Sequence, residues 1–126
     1  MEAGTVHVIL LSEAARDVLN RAKAFRSPIS HLLFPDQNPR RQLSDMTLLK
    51  ILRDKDDDHT VHGFRSSVRD WDAEKTNYPG EVAEAALAHT IANKVEAAYR
   101  RTADLDKRKS LMADLAKFVA RWLRNY

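Results

Sequence analysis

The stretch 60–101, TVHGFRSSVRDWDAEKTNYPGEVAEAALAHTIANKVEAAYRR, decides how this chain is read. In its first part Val61, Phe64, Val68 and Trp71 recur at spacings of three and four, which predicts a helix with one face turned to a core. Pro79 suits the first turn of a second helix, because the amide hydrogen it lacks has no partner there. The small residues beyond it, Ala83, Ala85, Ala86 and Ala88, allow a neighbouring backbone to come close. Asn93 and Glu96 form a pair like a capping box ahead of Ala97, Ala98 and Tyr99, which predicts a fresh short helix from Asn93. Tyr99 falls on that helix or just after it.

Downstream, 105–123 reads as a last helix, with Leu105, Leu111, Met112, Leu115, Val119 and Trp122 on a broad apolar stripe and Lys or Arg around the rest. Upstream, 5–11 (TVHVILL) is β-branched and apolar between Gly4 and Ser12, the pattern of a strand in a small sheet. From Ser12 the period changes: Ala15, Val18, Leu19 and Ala22 share a helical face, and the helix should end near Phe25. Pro28, Pro35 and Pro39 punctuate the next stretch and leave room for one short strand or extended segment at 31–34. Ser44 is an N-cap for a short helix built on Met46, Leu48, Leu49, Ile51 and Leu52, and the acidic run 54–58 stops it in a solvated loop. The expected fold is mainly α with a small β-sheet element, an α+β arrangement in one domain. Its lead-in is 1–59, its most informative region 60–103, and its closing helix 104–126.

A chain of 126 residues with 44% apolar and 31% charged content can bury one modest core. It has no apolar run long enough to span a bilayer and no basic-then-apolar leader, so the expected location is the cytoplasm, with no membrane partner. Having no cysteine, it can use neither thiol catalysis nor thiolate metal sites. A net charge of +3 and a pI near 9.3 permit a polyanionic partner without requiring one.

The residues with chemistry stand in the order His62, Arg65, His89, Tyr99. His62 and Arg65 are three apart at the start of a helix, so both can project towards one point near unpaired backbone amides, where an anion is favoured and a guanidinium can grip two phosphate oxygens. His89 can hydrogen-bond another phosphate oxygen, and the Tyr99 hydroxyl can attack phosphorus. Taken singly each has an ordinary reading: a helix-start histidine, a surface arginine, a histidine capping carbonyls, a core tyrosine. His7, His31 and His59 have no metal-site spacing. The basic run Arg100, Arg101, Lys107, Arg108 and Lys109 reads either as a solvated helix face or as a surface meeting DNA backbone.

Together these phrases, HGFR, LAHT and AAYRR within 60–101, resemble the signature region of the tyrosine recombinases, the phage and prophage integrases. The lead-in, from VILLSEAARDVL through HLLFPDQ to LSDMTLLKIL, resembles the elements that precede it. The resemblance implies the C-terminal part of an integrase catalytic domain acting in site-specific DNA recombination and viral genome integration. It implies Tyr99 as the nucleophile that forms a 3′-phosphotyrosyl link, with Arg65, His62 and His89 on the phosphate. Arg69, Lys94, Arg100 and Arg101 are further candidates for DNA phosphate. The implied partners are double-stranded DNA at attachment sites and other integrase protomers, reached through the C-terminal helix. No cofactor, metal or small-molecule substrate is expected, and the setting is nucleoid-associated in a bacterial host.

The family's first catalytic arginine and its lysine lie upstream of the segment aligned with Thr5, and neither is found here. The expectation is therefore a chain with little activity alone. The alternative is a catalytically dead prophage relic, a helical module that binds DNA or occupies a recombinase interface.

Overall fold

The structure, a computed structural model, describes residues 7–55, 58, 60–88 and 104–123. Among them are five α-helices: α1 (Glu13–Ala22), α2 (Asp45–Asp54), α3 (Val61–Lys75), α4 (Gly80–Ala86) and α5 (Leu105–Leu123), with a 3-10 turn, Lys23–Phe25, after α1. The chain divides into two compact units, Ala15–Phe64 and Met1–Ala14 with Arg65–Tyr126.

In the unit Ala15–Phe64 the helices begin and end where local chemistry dictates. α1 starts directly after Ser12. The Ser44 hydroxyl accepts from the Met46 amide at 3.2 Å and so caps α2, which gives out as the acidic run begins at Asp54. Between them the backbone is folded by serine and asparagine turns. Ser30, itself buried, accepts from the Leu32 amide, and the Asn38 side chain accepts from the Arg40 amide. A single antiparallel bridge joins Pro35 to Gln42.

No strand occurs among the described residues, so the expected β element is not found there. Residues 7–12 have no ladder partner among them, and an extended segment needs a second one beside it. The 31–34 segment leads only to the bridge at Pro35, where proline has no amide hydrogen to extend the pairing. The short helix expected from Asn93 lies outside the described residues.

The other unit holds the core. Trp71 of α3, Val82 and Ala83 of α4 and Leu111 of α5 are buried, with Tyr78, Ala86, Leu115 and Phe118 packed against them. The alanines of α4 do here what small residues permit: with Ala83 at 0% exposure, α5 lies directly on α4. Trp71 and Phe118 pack with ring centroids 5.7 Å apart, and Trp122 meets Phe118 edge-on at 6.3 Å. The extent of α5 is as expected, but the centre of its stripe is displaced. Phe118 is packed on the core, whereas Val119 is exposed. The face of α3 is likewise buried only at its far end, since Val61 and Phe64 are about half exposed.

A polar network closes the end of α3. The Thr76 hydroxyl lies 2.6 Å from Asp72 Oδ1 and 2.8 Å from the Asp72 carbonyl, which satisfies a carboxylate that is almost fully buried. Tyr78 then donates its hydroxyl to Asp114 Oδ2 at 2.6 Å, joining the turn after α3 to α5. That bond, together with partial burial and the nearby negative charge, raises the Tyr78 pKa above its ordinary value of 10.0.

Leu111→Ala should lower the free energy of unfolding in urea by about 2–5 kcal/mol, whereas Val119→Ala should change it by less than about 1 kcal/mol. Tyr78→Phe should lose about 1 kcal/mol at neutral pH. Because the folded chain favours the protonated phenol, that contribution is present below the ordinary tyrosine pKa. It is lost as pH rises through the raised one, so the gap between wild type and Tyr78→Phe should close above about pH 10. A variant gap that stays constant from neutral to strongly alkaline pH would contradict this.

Candidate functional site

The HGFR phrase opens α3. The Thr60 hydroxyl accepts from the Gly63 amide at 2.9 Å, an N-cap bond that starts the helix one residue before Val61. A side chain at position 63 would bring its Cβ within 3.1 Å of that hydroxyl, so glycine gives the cap its room. His62 lies in the first turn and is exposed; Arg65 lies in the second and is half-buried.

Two arginines of α3, one turn apart, hold α4. Arg65 Nη2 donates to the main-chain carbonyl of Leu87 at 2.5 Å, and Arg69 forms an ion pair with Glu84. Glu84 and Leu87 are three apart on α4 and its cap, so both partners lie along one side. The end of α4 needs this support. The Leu87 amide donates to the Ala83 carbonyl and the Ala88 amide to the Ala85 carbonyl. Ala88 then takes a φ of 58°, a left-handed conformation unusual for alanine. Arg65 is therefore fixed against the backbone two residues before His89 in the chain. A guanidinium carries five N–H donors in a planar fork, and the Leu87 carbonyl occupies one side of it.

Of the expected site residues, His62, Arg65 and Arg69 are described. His89, Lys94, Tyr99, Arg100 and Arg101 lie outside the described residues, as does His59. Arg69 is engaged by Glu84, so a phosphate would have to displace that carboxylate or share the guanidinium with it. Among the described residues no group of three or more His, Cys, Asp or Glu could hold a metal ion, and no helix is long and apolar enough to cross a membrane.

Arg108 departs from its expected place on a solvated or DNA-facing surface. It is only 3% exposed, and its Nη2 donates to the Val8 carbonyl, joining α5 to the segment before α1. Burial pushes its pKa below the ordinary arginine value, with Asp104 opposing the shift, and its Nε has no partner among the described residues. The reason is its register. Residues 104, 108, 111, 115 and 118 succeed one another at spacings of four and three, so Arg108 stands on the core-facing stripe beside Leu111. A basic run scored for charge conceals this; the periodicity reveals it.

Over 119 residues the chain is 33% identical to the integrase of Enterobacteria phage P4, a match that covers 90% of this chain. It is related to a phage integrase. The chain spans about a quarter of that protein, 27% of its length. No family model matches the sequence, and no solved structure matches the fold.

The Arg65–Leu87 bond gives Arg65 a structural role that is measurable without DNA. Arg65→Met should cost about 1–2 kcal/mol in urea unfolding, because it leaves the Leu87 carbonyl without this donor in a half-buried setting. Arg69→Ala, which removes a partly exposed ion pair, should cost no more than about 1 kcal/mol.

Proposed function

We propose that the chain is the C-terminal part of the catalytic domain of a tyrosine-type integrase, whose parent protein cuts and rejoins DNA at attachment sites. The observation that carries this reading is the relationship to the phage P4 integrase. A match covering 90% of the chain has to run through most of the 60–101 stretch, where the His62, Arg65, His89 and Tyr99 phrases stand.

In this reading Arg65 grips the non-bridging oxygens of the scissile phosphate, and His62 and His89 donate to the same group. The Tyr99 oxygen attacks phosphorus as its proton leaves. The bond from phosphorus to the 5′ oxygen breaks, that oxygen takes up a proton, and the DNA is left joined through its 3′ phosphate to tyrosine. The freed 5′-hydroxyl of a second strand reverses the step. A tyrosine hydroxyl has an ordinary pKa of about 10, so attack at neutral pH depends on cations that neutralise charge building on phosphorus. Arg65 supplies one. The second arginine and the lysine that protonates the leaving oxygen belong, in this reading, to sequence upstream of this chain. Arg65 is suited to its part because the Leu87 carbonyl already holds its side chain in place, which lowers the entropy cost of gripping an anion.

The test is a phosphorothiolate suicide duplex offered to a chimera in which this chain replaces its aligned counterpart in the phage P4 integrase. A covalent adduct should be trapped, and both Tyr99→Phe and Arg65→Ala should abolish it. Tyr99→Phe should leave DNA binding nearly intact. An adduct that persists in Tyr99→Phe removes the nucleophile assignment. The 126-residue chain alone should give no adduct above background. Its duplex binding should be weak, nearly indifferent to sequence and steeply weakened by salt, because it offers few phosphate contacts.

A further inference from the structure

One concave surface is lined by none of the candidate site residues. Between the end of α3, the 76–79 turn and the second half of α5 lies a groove of about 750 Å³. Trp71, Tyr78 and Phe118 line its floor, while Lys75, Lys117 and Arg121 stand at its edge. We propose that this groove is a docking site for a partner protein's acidic, apolar peptide segment.

Charge complementarity carries the argument. The wall contains one carboxylate, Asp114, and it is already engaged: Oδ2 accepts the Tyr78 hydroxyl at 2.6 Å and Oδ1 lies 3.8 Å from Lys117 Nζ. Lys75 and Arg121 have no carboxylate partner among the described residues. The groove lining therefore carries three cations against one carboxylate, a positive balance even with Lys117 beside Asp114. The apolar surface also continues outward, since Trp122 is 60% exposed and packs edge-on against Phe118. Aromatic and arginine side chains around a small concavity are the make-up of interface hot spots.

A duplex backbone fits the same features less well. Phosphates can use the three edge cations but gain nothing from an aromatic floor, whereas a peptide that alternates acidic with apolar side chains uses both. The groove is also of a size that suits a few side chains rather than a helix of DNA. The Tyr78–Asp114 bond fixes the turn that forms one wall, so the surface is preformed.

The experiment is fluorescence anisotropy with the whole 126-residue chain. The probe is a fluorescein-labelled peptide of about ten residues in which Asp and Glu alternate with Leu and Phe. Binding should be saturable. The double variant Lys75→Glu, Arg121→Glu should weaken it by at least about tenfold, and so should replacing the peptide's acids with Asn and Gln. Both substitutions are on exposed side chains outside the core, so the fold should persist. Arg65→Met should leave peptide binding unchanged, which separates this proposal from the integrase reading. Absence of binding, or equal binding by the double variant or by the neutral peptide, overturns it. So does displacement of the peptide by an equal concentration of unlabelled duplex, coupled with lost DNA binding in the double variant, which would make the edge a phosphate surface.

Discussion

Leu111 and Ala83 exclude solvent completely from the line where α5 crosses α4, and much else in that unit hangs on the contact. The small alanines of α4 let α5 come close, where larger side chains would hold the helices apart. With α5 seated, Trp71 of α3 finds Phe118 as a packing partner, and the turn after α3 comes close enough for Tyr78 to reach Asp114. The α3–α4 pair is in turn fastened at two points by Arg65 and Arg69, so the side chain proposed to grip phosphate is also one that holds the backbone.

Arg108 shows the opposite economy. A guanidinium almost wholly removed from water, with one nitrogen lacking a partner among the described residues, is costly to keep. What it gains is a bond across 100 residues of sequence, to the Val8 carbonyl. An apolar residue of similar length could fill the space but could not hold that carbonyl. Among the described residues the segment before α1 has no strand ladder to fasten it, so this arginine supplies a tie that sheet hydrogen bonds would give in a β structure.

The helices were legible because period, caps and breakers agreed. Ser44 caps α2 as its position suggested, the acidic run ends it, and α5 runs over the residues its stripe marked out. The expected sheet has no counterpart among the described residues, because a β-branched run records only willingness to pair, and pairing depends on a partner elsewhere. The burial of Arg108 was readable in principle from its register beside Leu111, but charge masked it. Of the candidate site, the sequence marked Arg65 for its affinity for anions; its bond to Leu87 depends on tertiary packing and has no local signature. The order of His62, Arg65, His89 and Tyr99 carries the resemblance to an integrase, and the roles proposed for Tyr99 and Arg65 are what adduct trapping reads.

Ala88 has a consequence for how that turn is encoded. At φ 58° an alanine carries a steric penalty of about 1 kcal/mol that glycine would escape, yet glycine would give the unfolded chain more freedom to lose. The steric penalty is the larger of the two, so the local preference of residue 88 runs against the bend. Its neighbours decide it: the Ala83 and Ala85 carbonyls draw in the amides of Leu87 and Ala88, and Arg65 holds the Leu87 carbonyl from the other side. The turn at Ala88 is thus held from two sides, by carbonyls of α4 itself and by a side chain of α3. A homologous segment grafted without that helix would keep the two α4 carbonyls and lose the Arg65 donor.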